Sequence, residues 1–389
     1  MPRLHGGDLI KSLEMLILKK TLMESLTIKN PTLIIDEKIC RQNLKRMSDK
    51  ASRLGLKLIP HFKTHQSLKV AEWCKDYGVD EITVSSFKMA YYFREKGFKN
   101  IHIAFPFNPL LISDLNLINN QSISIQLVNK DVTKIVADNL TKETGFFIEI
   151  DAGYGRAGVP IGKLEEIDAI LREASSSDKL KFIGFYIHAG HSYYADRQGI
   201  DKIQKETQEA FRILKAKYQS QFPNLVCRSG DTPTCSILED FQYIDEIGPG
   251  NYVFYDITQA EVGSCDRADI AVALATPIVD IKPERNEILV HGGGVHLSKD
   301  MLMKDGLKNF GEVVYLNEDG WTIPSNTSFL KSISQEHGLI QASDELMAKA
   351  KIGDILGILP IHSCMTADCM RVYKTMDGEV IDHLEGAMK

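Results

Sequence analysis

From residue 31 to about 255, short runs that are apolar along their whole length alternate with longer stretches in which apolar residues recur every three or four positions. The runs TLIID (32–36), LKLI (56–59), EITVS (81–85), NIHIAF (100–105), ISIQLV (123–128), GFFIEID (145–151), KFIGFYIH (181–188) and LVCRS (225–229) read as strands. Between them, stretches such as 37–55, 85–97, 130–140 and 195–218 read as helices. A strand that is apolar on both faces is covered on both faces, which is the mark of a parallel sheet. Close to eight such units predict an α/β fold, a (β/α)₈ barrel of TIM type, in preference to an open doubly wound sheet, because eight repeats close more naturally than they splay.

After about residue 265 the pattern changes. IAVALATPIVDI, EILVHGGG, EVVYLNEDGWTI, GDILGILPIH and MRVYKTMDGEVI are short strands broken by Gly, Asp-Gly and Pro, with little helical period between them. A β-rich C-terminal domain is expected there. The expected division is an N-terminal extension (1–30) packing on the C-terminal domain, a barrel (31–265) and the β-rich domain (266–389). In the extension, the apolar patch at 14–18 is interrupted by Glu14 and followed by Lys19 and Lys20 with no small-residue cleavage site, so it reads as an amphipathic helix rather than a signal peptide.

Composition narrows the function classes. With 389 residues, a charged fraction of 25% and a formal net charge of -6, the chain lacks the basic footprint of a nucleic-acid binder, and small metabolites are the expected ligands. The seven cysteines are odd in number and scattered, which predicts free thiols and a reducing, cytoplasmic setting rather than a disulfide framework. No stretch approaches the roughly 20 apolar residues of a membrane span.

A barrel of this kind draws its catalytic groups from the C-terminal ends of its strands. At the first such end, PHFKTHQS brackets Lys63 between His61 and His65. A partly desolvated lysine among titrating groups can form a Schiff base with an aldehyde, whereas a solvated loop lysine does nothing of the kind. DAGYGRAG contains G-x-G-x-x-G after a strand, but Pro160 follows too soon for the helix that a dinucleotide site needs, so a glycine-rich turn presenting Arg156 is the better reading. SGDTPT and IGPGNYVFYD, at consecutive strand ends, combine small residues with hydroxyls in the manner of phosphate cradles. His188 and His191 lie at a strand end where they would diverge, which favours cofactor or substrate contacts over a metal pair. His362 and Cys364, two apart on an expected extended segment, would project together and suit Zn²⁺, against the alternative of a buried histidine and a core thiol.

Taken in order, PHFKTHQS, DAGYGRAGV, GFYIHAGHSY, SGDTPT, GPGNYVFYD, SQEHG and IGDILGILPIHSC resemble the D-threonine aldolase and D-serine dehydratase group of pyridoxal-phosphate enzymes, within the alanine racemase-like barrels. The resemblance covers about residues 31–370. It implies that Lys63 holds pyridoxal 5′-phosphate covalently, Arg156 lies near the cofactor's phenolic oxygen, Tyr186 faces its ring nitrogen, and Thr232, Gly250 and Asn251 bind its phosphate. It likewise implies that His362 and Cys364 hold a divalent metal near the substrate hydroxyl, Zn²⁺ first with Mn²⁺ or Mg²⁺ as alternatives, and that the enzyme is a homodimer. H-x-Cys is the pairing of the dehydratases, while the aldolases carry H-x-Asp. The stretch HGGGVHLSKD (291–300) departs from the group's more usual acidic-Gly-Ser sequence, and the roles of Asp368 and Cys369 stay open. The expected activity is a lyase reaction on D-3-hydroxy amino acids. The alternatives are an amino acid racemase, which would need a second acid/base and no metal, a non-catalytic pyridoxal-phosphate carrier, which would lack the second domain, and a nicotinamide oxidoreductase resting on GYGRAG alone.

Overall fold

The structure is a computed structural model that describes residues 28–118, 122–304 and 306–386. The helix and packing expected of the N-terminal extension fall outside the described residues. The chain divides into two compact units, Cys40–Asp269 on the one hand, and the chain up to Ile39 together with Ile270–Ala387 on the other. The first strand, β1 (Thr32–Ile35), does not join the barrel; it pairs antiparallel with a strand of the second unit, from Thr32 opposite Ala275 to Ile35 opposite Val272.

The Cys40–Asp269 unit carries eight parallel strands: β2 (Lys57–Leu58), β3 (Ile82–Val84), β4 (Ile101–Pro106), β5 (Ile123–Leu127), β6 (Thr144–Asp151), β7 (Leu180–Ile187), β8 (Val226–Ser229) and β9 (Glu246–Ile247). Their order is β2-β9-β8-β7-β6-β5-β4-β3. The open ends meet through a parallel bridge between His61 and Thr83, reinforced by the Phe62 amide donating to the Thr83 carbonyl at 2.9 Å and the Thr83 amide donating to Pro60 at 2.9 Å. Helices such as Leu164–Ala174 and Arg197–Tyr218 turn buried apolar faces to this sheet. Phe146, Phe147 and Ile148 are buried at consecutive positions of β6, so both faces of the sheet are covered, as the unbroken apolar runs require.

In the other unit, β10 (Val272–Lys282), β11 (Glu287–His291), β12 (Gly311–Asn317), β13 (Phe329–Ile333), β14 (His337–Gln341) and β15 (Ile355–Pro360) pair antiparallel in the ring β10-β11-β14-β13-β12-β15, which returns to β10 and closes a small barrel. Leu274, Ile278, Ile288, Val290, Val313, Leu330, Ile340 and Ile358 fill its core. Short antiparallel strands joined by turns are what the broken, turn-rich sequence after residue 265 predicts. Among the described residues no helix is long and apolar enough to cross a membrane.

Candidate active site

Every residue expected to hold the cofactor follows, or ends, a strand at the C-terminal rim of the Cys40–Asp269 barrel. Lys63 follows β2, Asn251 and Gly250 follow β9, Thr232 follows β8, Tyr186 is near the end of β7, and Arg156 follows β6. Those five strands are consecutive neighbours in the sheet, so the six residues share one arc of the mouth.

Local sequence explains each placement. The pairing of β2 with β9 runs on past the strands, since the Ile59 amide donates to Ile247 at 2.8 Å and the His61 amide to Pro249 at 3.0 Å. A turn over 61–65 then lifts Lys63 onto the exposed rim. The two bracketing histidines have different duties. His65 is buried, packs on Phe62 at 4.5 Å between ring centroids, and accepts the Ser67 amide at 3.0 Å through Nδ1, so it is a structural residue. His61 faces the mouth, and its Nδ1 accepts the Lys63 amide at 3.2 Å. Thr232 opens a short helix whose cap is the buried Asp231, and its hydroxyl oxygen accepts the Asn251 amide at 3.1 Å, which ties the two phosphate-type loops together. At Gly250 a Cβ would lie 3.0 Å from the His61 carbonyl oxygen and 3.3 Å from Thr64 Oγ1, so this loop closes tightly on the lysine turn and a side chain there would push it back.

The G-x-G-x-x-G segment is a turn. Gly153, Gly155 and Gly158 all have positive φ, Asp151 accepts the Gly153 and Gly155 amides at 2.9 and 3.0 Å, and strand residues Val159–Pro160 follow in place of a helix. Arg156 is exposed on this turn, with its guanidinium 5.1 Å from the Tyr154 ring centroid. His188 and His191 do not diverge: both rings lie against Tyr154, at 5.9 and 5.7 Å.

Two cations, Lys63 and Arg156, act on the histidines around the mouth. Desolvation, together with Lys63, His188, His102 and Arg156 nearby, holds His61 well below the usual histidine range. Burial and Arg156 push His188 down to about 4, and its Nδ1 hydrogen-bonds the Gly230 carbonyl, so at neutral pH this ring is neutral. Burial pushes the Tyr186 hydroxyl up, with Glu149 adding to the effect, so it stays a phenol. Tyr186 belongs to a polar layer that sequence reasoning missed: Glu149 pairs with Tyr186, Tyr186 with Arg228 and Arg228 with Glu246, and the buried His102 and Gln126 stand on the next two strands. Arg228 Nε donates to Glu246 at 2.7 Å and its guanidinium lies 4.5 Å from the Phe147 centroid. A polar residue inside an apolar run was the available signal at His102, Gln126, Glu149 and Arg228; Glu246 lies in no such run.

His362 and Cys364 belong to the other unit. The segment is not extended throughout: His362 follows β15 as the N-cap of the helix Ser363–Met370, and Cys364 lies in that helix's first turn. The strand alternation expected to align the two side chains is therefore not the geometry present. What orients His362 is Asp300, whose Oδ2 lies 3.3 Å from its Nδ1. Ser298 Oγ donates to the same Asp300 oxygen at 2.8 Å, and these two partners hold the Asp300 carboxyl below the usual range. A carboxylate on Nδ1 directs Nε2 outward as the ligating nitrogen, the arrangement common around metal-binding histidines. Sequence reasoning missed Asp300, because it stands in the stretch that departs from the expected pattern.

Comparison with known proteins places this geometry. The family model "Alanine racemase, N-terminal domain" matches residues 35–257. The chain belongs to that family. Behind the alanine racemase-type barrel, the model "Putative serine dehydratase domain" matches residues 271–376. A D-serine dehydratase of Dictyostelium discoideum is 28% identical over 384 residues, covering 90% of this chain and 94% of that protein. A D-threo-3-hydroxyaspartate dehydratase of Delftia sp. HT23 is 26% identical over 369 residues, covering 91% and 96%. Its solved structure has a TM-score of 0.84 at 24% identity, over 92% of this chain and 98% of that one, and a variant with cysteine replaced by alanine was solved in a metal-free form. A D-threonine aldolase of Filomicrobium marinum has a TM-score of 0.75 at 18% identity, over 92% and 96%. These structural likenesses bear on the fold alone.

The residues of the alanine racemase-type barrel fit pyridoxal phosphate. The close approach at Gly250 and the Thr232 hydroxyl suit a phosphate group, Arg156 suits an anionic phenolic oxygen, and the neutral Tyr186 suits a ring nitrogen. The donor set of His362 and Cys364, with Asp300 behind the imidazole, fits a zinc-class cation.

Proposed function

We propose that the chain is a pyridoxal 5′-phosphate- and divalent-metal-dependent lyase acting on D-3-hydroxy amino acids, with elimination of the β-hydroxyl as its principal reaction. The observation that carries this reading is the arc of Lys63, Gly250, Asn251, Thr232, Tyr186 and Arg156 on five neighbouring strand ends.

Bound there, the cofactor supplies an electron sink for bonds at the substrate's α-carbon. The residues of the chain do the rest. Lys63 Nζ holds the cofactor between turnovers and, once released to the substrate, takes the α-proton. Lys63 becomes an ammonium when it takes that proton, and the neighbouring imidazoles of His61 and His188, being neutral, add no second positive charge beside it. Tyr186, kept neutral by burial, donates a hydrogen bond toward the ring nitrogen rather than a full charge. Arg156 balances the phenolic oxygen. Thr232, Gly250 and Asn251 hold the phosphate end, which fixes the plane in which the α-carbon bonds are broken. His362 and Cys364 would hold a divalent cation, which would supply Lewis acidity, and Asp300 keeps His362 in the tautomer that can ligate. The Cys364 thiolate favours Zn²⁺ over Mn²⁺ or Mg²⁺. We further propose a homodimer acting in the cytoplasm, which light scattering and cell fractionation test.

The deciding experiment is product analysis with D-threonine, D-serine and D-threo-3-hydroxyaspartate. A 2-oxo acid plus ammonia, lost on Lys63→Ala together with the visible absorption of the bound cofactor, is the expected result. Glycine plus an aldehyde would make the enzyme an aldolase. Racemised substrate alone, at a rate unaffected by full chelation, would overturn the lyase reading.

A further inference from the structure

A cluster of ligating side chains outside the site described above stands at the junction of β11 and β14. His291 ends β11, Glu336 lies in the turn between β13 and β14, and His296 is in the short helix Gly294–Leu297. One ligand atom from each comes within 4.8 Å of the other two. Glu336 Oε2 is 3.4 Å from His291 Nε2 and 3.6 Å from His296 Nε2. These separations exceed the N–H···O hydrogen bond of about 2.7–3.2 Å. They lie close to the edge of a tetrahedron of donors at zinc-ligand distances, about 3.3–3.5 Å, and the two imidazole nitrogens are within 4.8 Å of each other.

We propose that His291, His296 and Glu336 form a second transition-metal site, which takes a zinc-class divalent cation through two imidazole nitrogens and one carboxylate oxygen and keeps its remaining position open to solvent. The scaffold holds the three donors in place before any ion arrives. The Gly294 amide donates to Ser334 at 2.8 Å and the Val295 amide to Gln335 at 3.2 Å, so the turn bearing Glu336 is clasped to the turn bearing His296. At Gly293 a Cβ would lie 2.5 Å from both the Ser334 and Gln335 carbonyl oxygens, so the clasp needs glycine at that position. β11 and β14 pair in register up to His291 opposite His337, which fixes the third donor.

Exposure agrees with this assignment. His296 is the more enclosed of the two histidines, with 15% of its side chain exposed. The side chains of His291 and Glu336 are 38% and 48% exposed, so an ion reaches them from solvent and can keep a water or take an external ligand. One contact opposes loading. The Gly293 amide donates to His296 Nδ1 at 3.2 Å, whereas a neutral imidazole that binds metal through Nε2 carries its proton on Nδ1. That long hydrogen bond opens when the ion binds, and the cost is one weak contact. The three-donor set contains no thiolate, which sets it apart from His362 and Cys364 and makes the two sites separable by spectrum.

The test uses the full-length holoenzyme and its His362→Ala/Cys364→Ala variant, loaded with Zn²⁺ or Co²⁺, dialysed, and assayed for metal by mass spectrometry. The variant is expected to retain about one metal per chain, and adding His291→Ala or Glu336→Gln is expected to weaken its binding by at least about tenfold, since three ligands become two. In the Co²⁺ form of the wild type, a thiolate-to-cobalt band in the near ultraviolet marks Cys364. That band is expected to vanish in the variant while weaker ligand-field bands persist. Circular dichroism checks that each variant is folded, and Glu336→Gln replaces His291→Ala if the latter is not. A variant lacking His362 and Cys364 that holds no metal, or whose metal is indifferent to both further substitutions, overturns the proposal. Wild-type protein with a single metal that ignores His362→Ala/Cys364→Ala but is lost on His291→Ala would sustain this site and remove the metal role of the other pair.

Discussion

Replacing Asp300 by asparagine tests whether the residue behind His362 governs metal binding. Asp300 Oδ2 stands 3.3 Å from His362 Nδ1, at the long end for a charge-assisted contact, and both side chains are 42% exposed. Solvent therefore screens the pair, and its direct share of folding stability is small. Its effect on ligation is larger. The carboxylate selects the tautomer with the proton on Nδ1 and makes Nε2 a stronger donor, and losing such a partner costs about 10–100-fold in metal affinity. The length and exposure of this contact put the expected loss near the lower figure, about tenfold or about 1.4 kcal/mol. Ser298→Ala, which removes the 2.8 Å donor to Asp300, should lose less, about two- to threefold. The assay is competition for Zn²⁺ with a chromophoric chelator, carried out in a His291→Ala background so that a single site reports, with the thermal transition recorded alongside. An Asp300→Asn protein that binds Zn²⁺ as the parent does, or that loses affinity only in step with its melting temperature, would refute the reasoning.

Two further outcomes follow from the barrel unit. His188 titrates near 4 in the folded chain against about 6.5 unfolded, so the unfolded chain takes a proton that the folded chain refuses, and stability falls as the pH drops from about 6.5 toward 4. The gap amounts to roughly 3 kcal/mol, and His188→Gln should flatten that part of the acid limb in urea unfolding; an unchanged slope would mean that other groups carry it. Gly250→Ala brings a Cβ to 3.0 Å from the His61 carbonyl oxygen at a backbone angle that alanine tolerates, so it should cost about 1 kcal/mol in unfolding and loosen cofactor retention on dialysis, whereas full retention would detach Gly250 from the phosphate cradle.

The barrel was legible as a count of apolar runs but not as a list of its members. TLIID and the true barrel strands have the same composition, because a strand buried on both faces looks the same in either sheet. Nothing local in Thr32–Ile35 says that its partner is 240 residues away at Val272–Ala275. The missing eighth strand is Glu246–Ile247, two residues within DEIGPG, too short to show any period. What identifies it is its partners: β2 and β8 flank it, and those pairings carry Gly250 to the lysine turn. The glycine-rich loop was visible in the sequence as a candidate phosphate-type cradle, while the strand that positions it was not.

The site shows the same division between chemistry and placement. Residue type singled out Lys63 and Arg156 as candidates after apolar runs, whereas Thr232 and Gly250 were picked out by the family resemblance. Type alone could not separate His61 from His65, since both stand two residues from the lysine, yet one faces the mouth and the other packs among Phe62, Phe93 and Phe254. Nor could it show that His362 is set by a carboxylate 62 positions earlier in the chain. The stretch HGGGVHLSKD looked like a loss of family pattern because its residues were compared one position at a time. In three dimensions it does two things at once: its last residue orients His362, and its two histidines come together with Glu336 of SQEHG. A departure from pattern that brings four ionisable groups to defined partners is better read as a change of ligand chemistry than as drift, because unpartnered histidines and carboxylates on a surface turn have no reason to need the glycine clasp at Gly293.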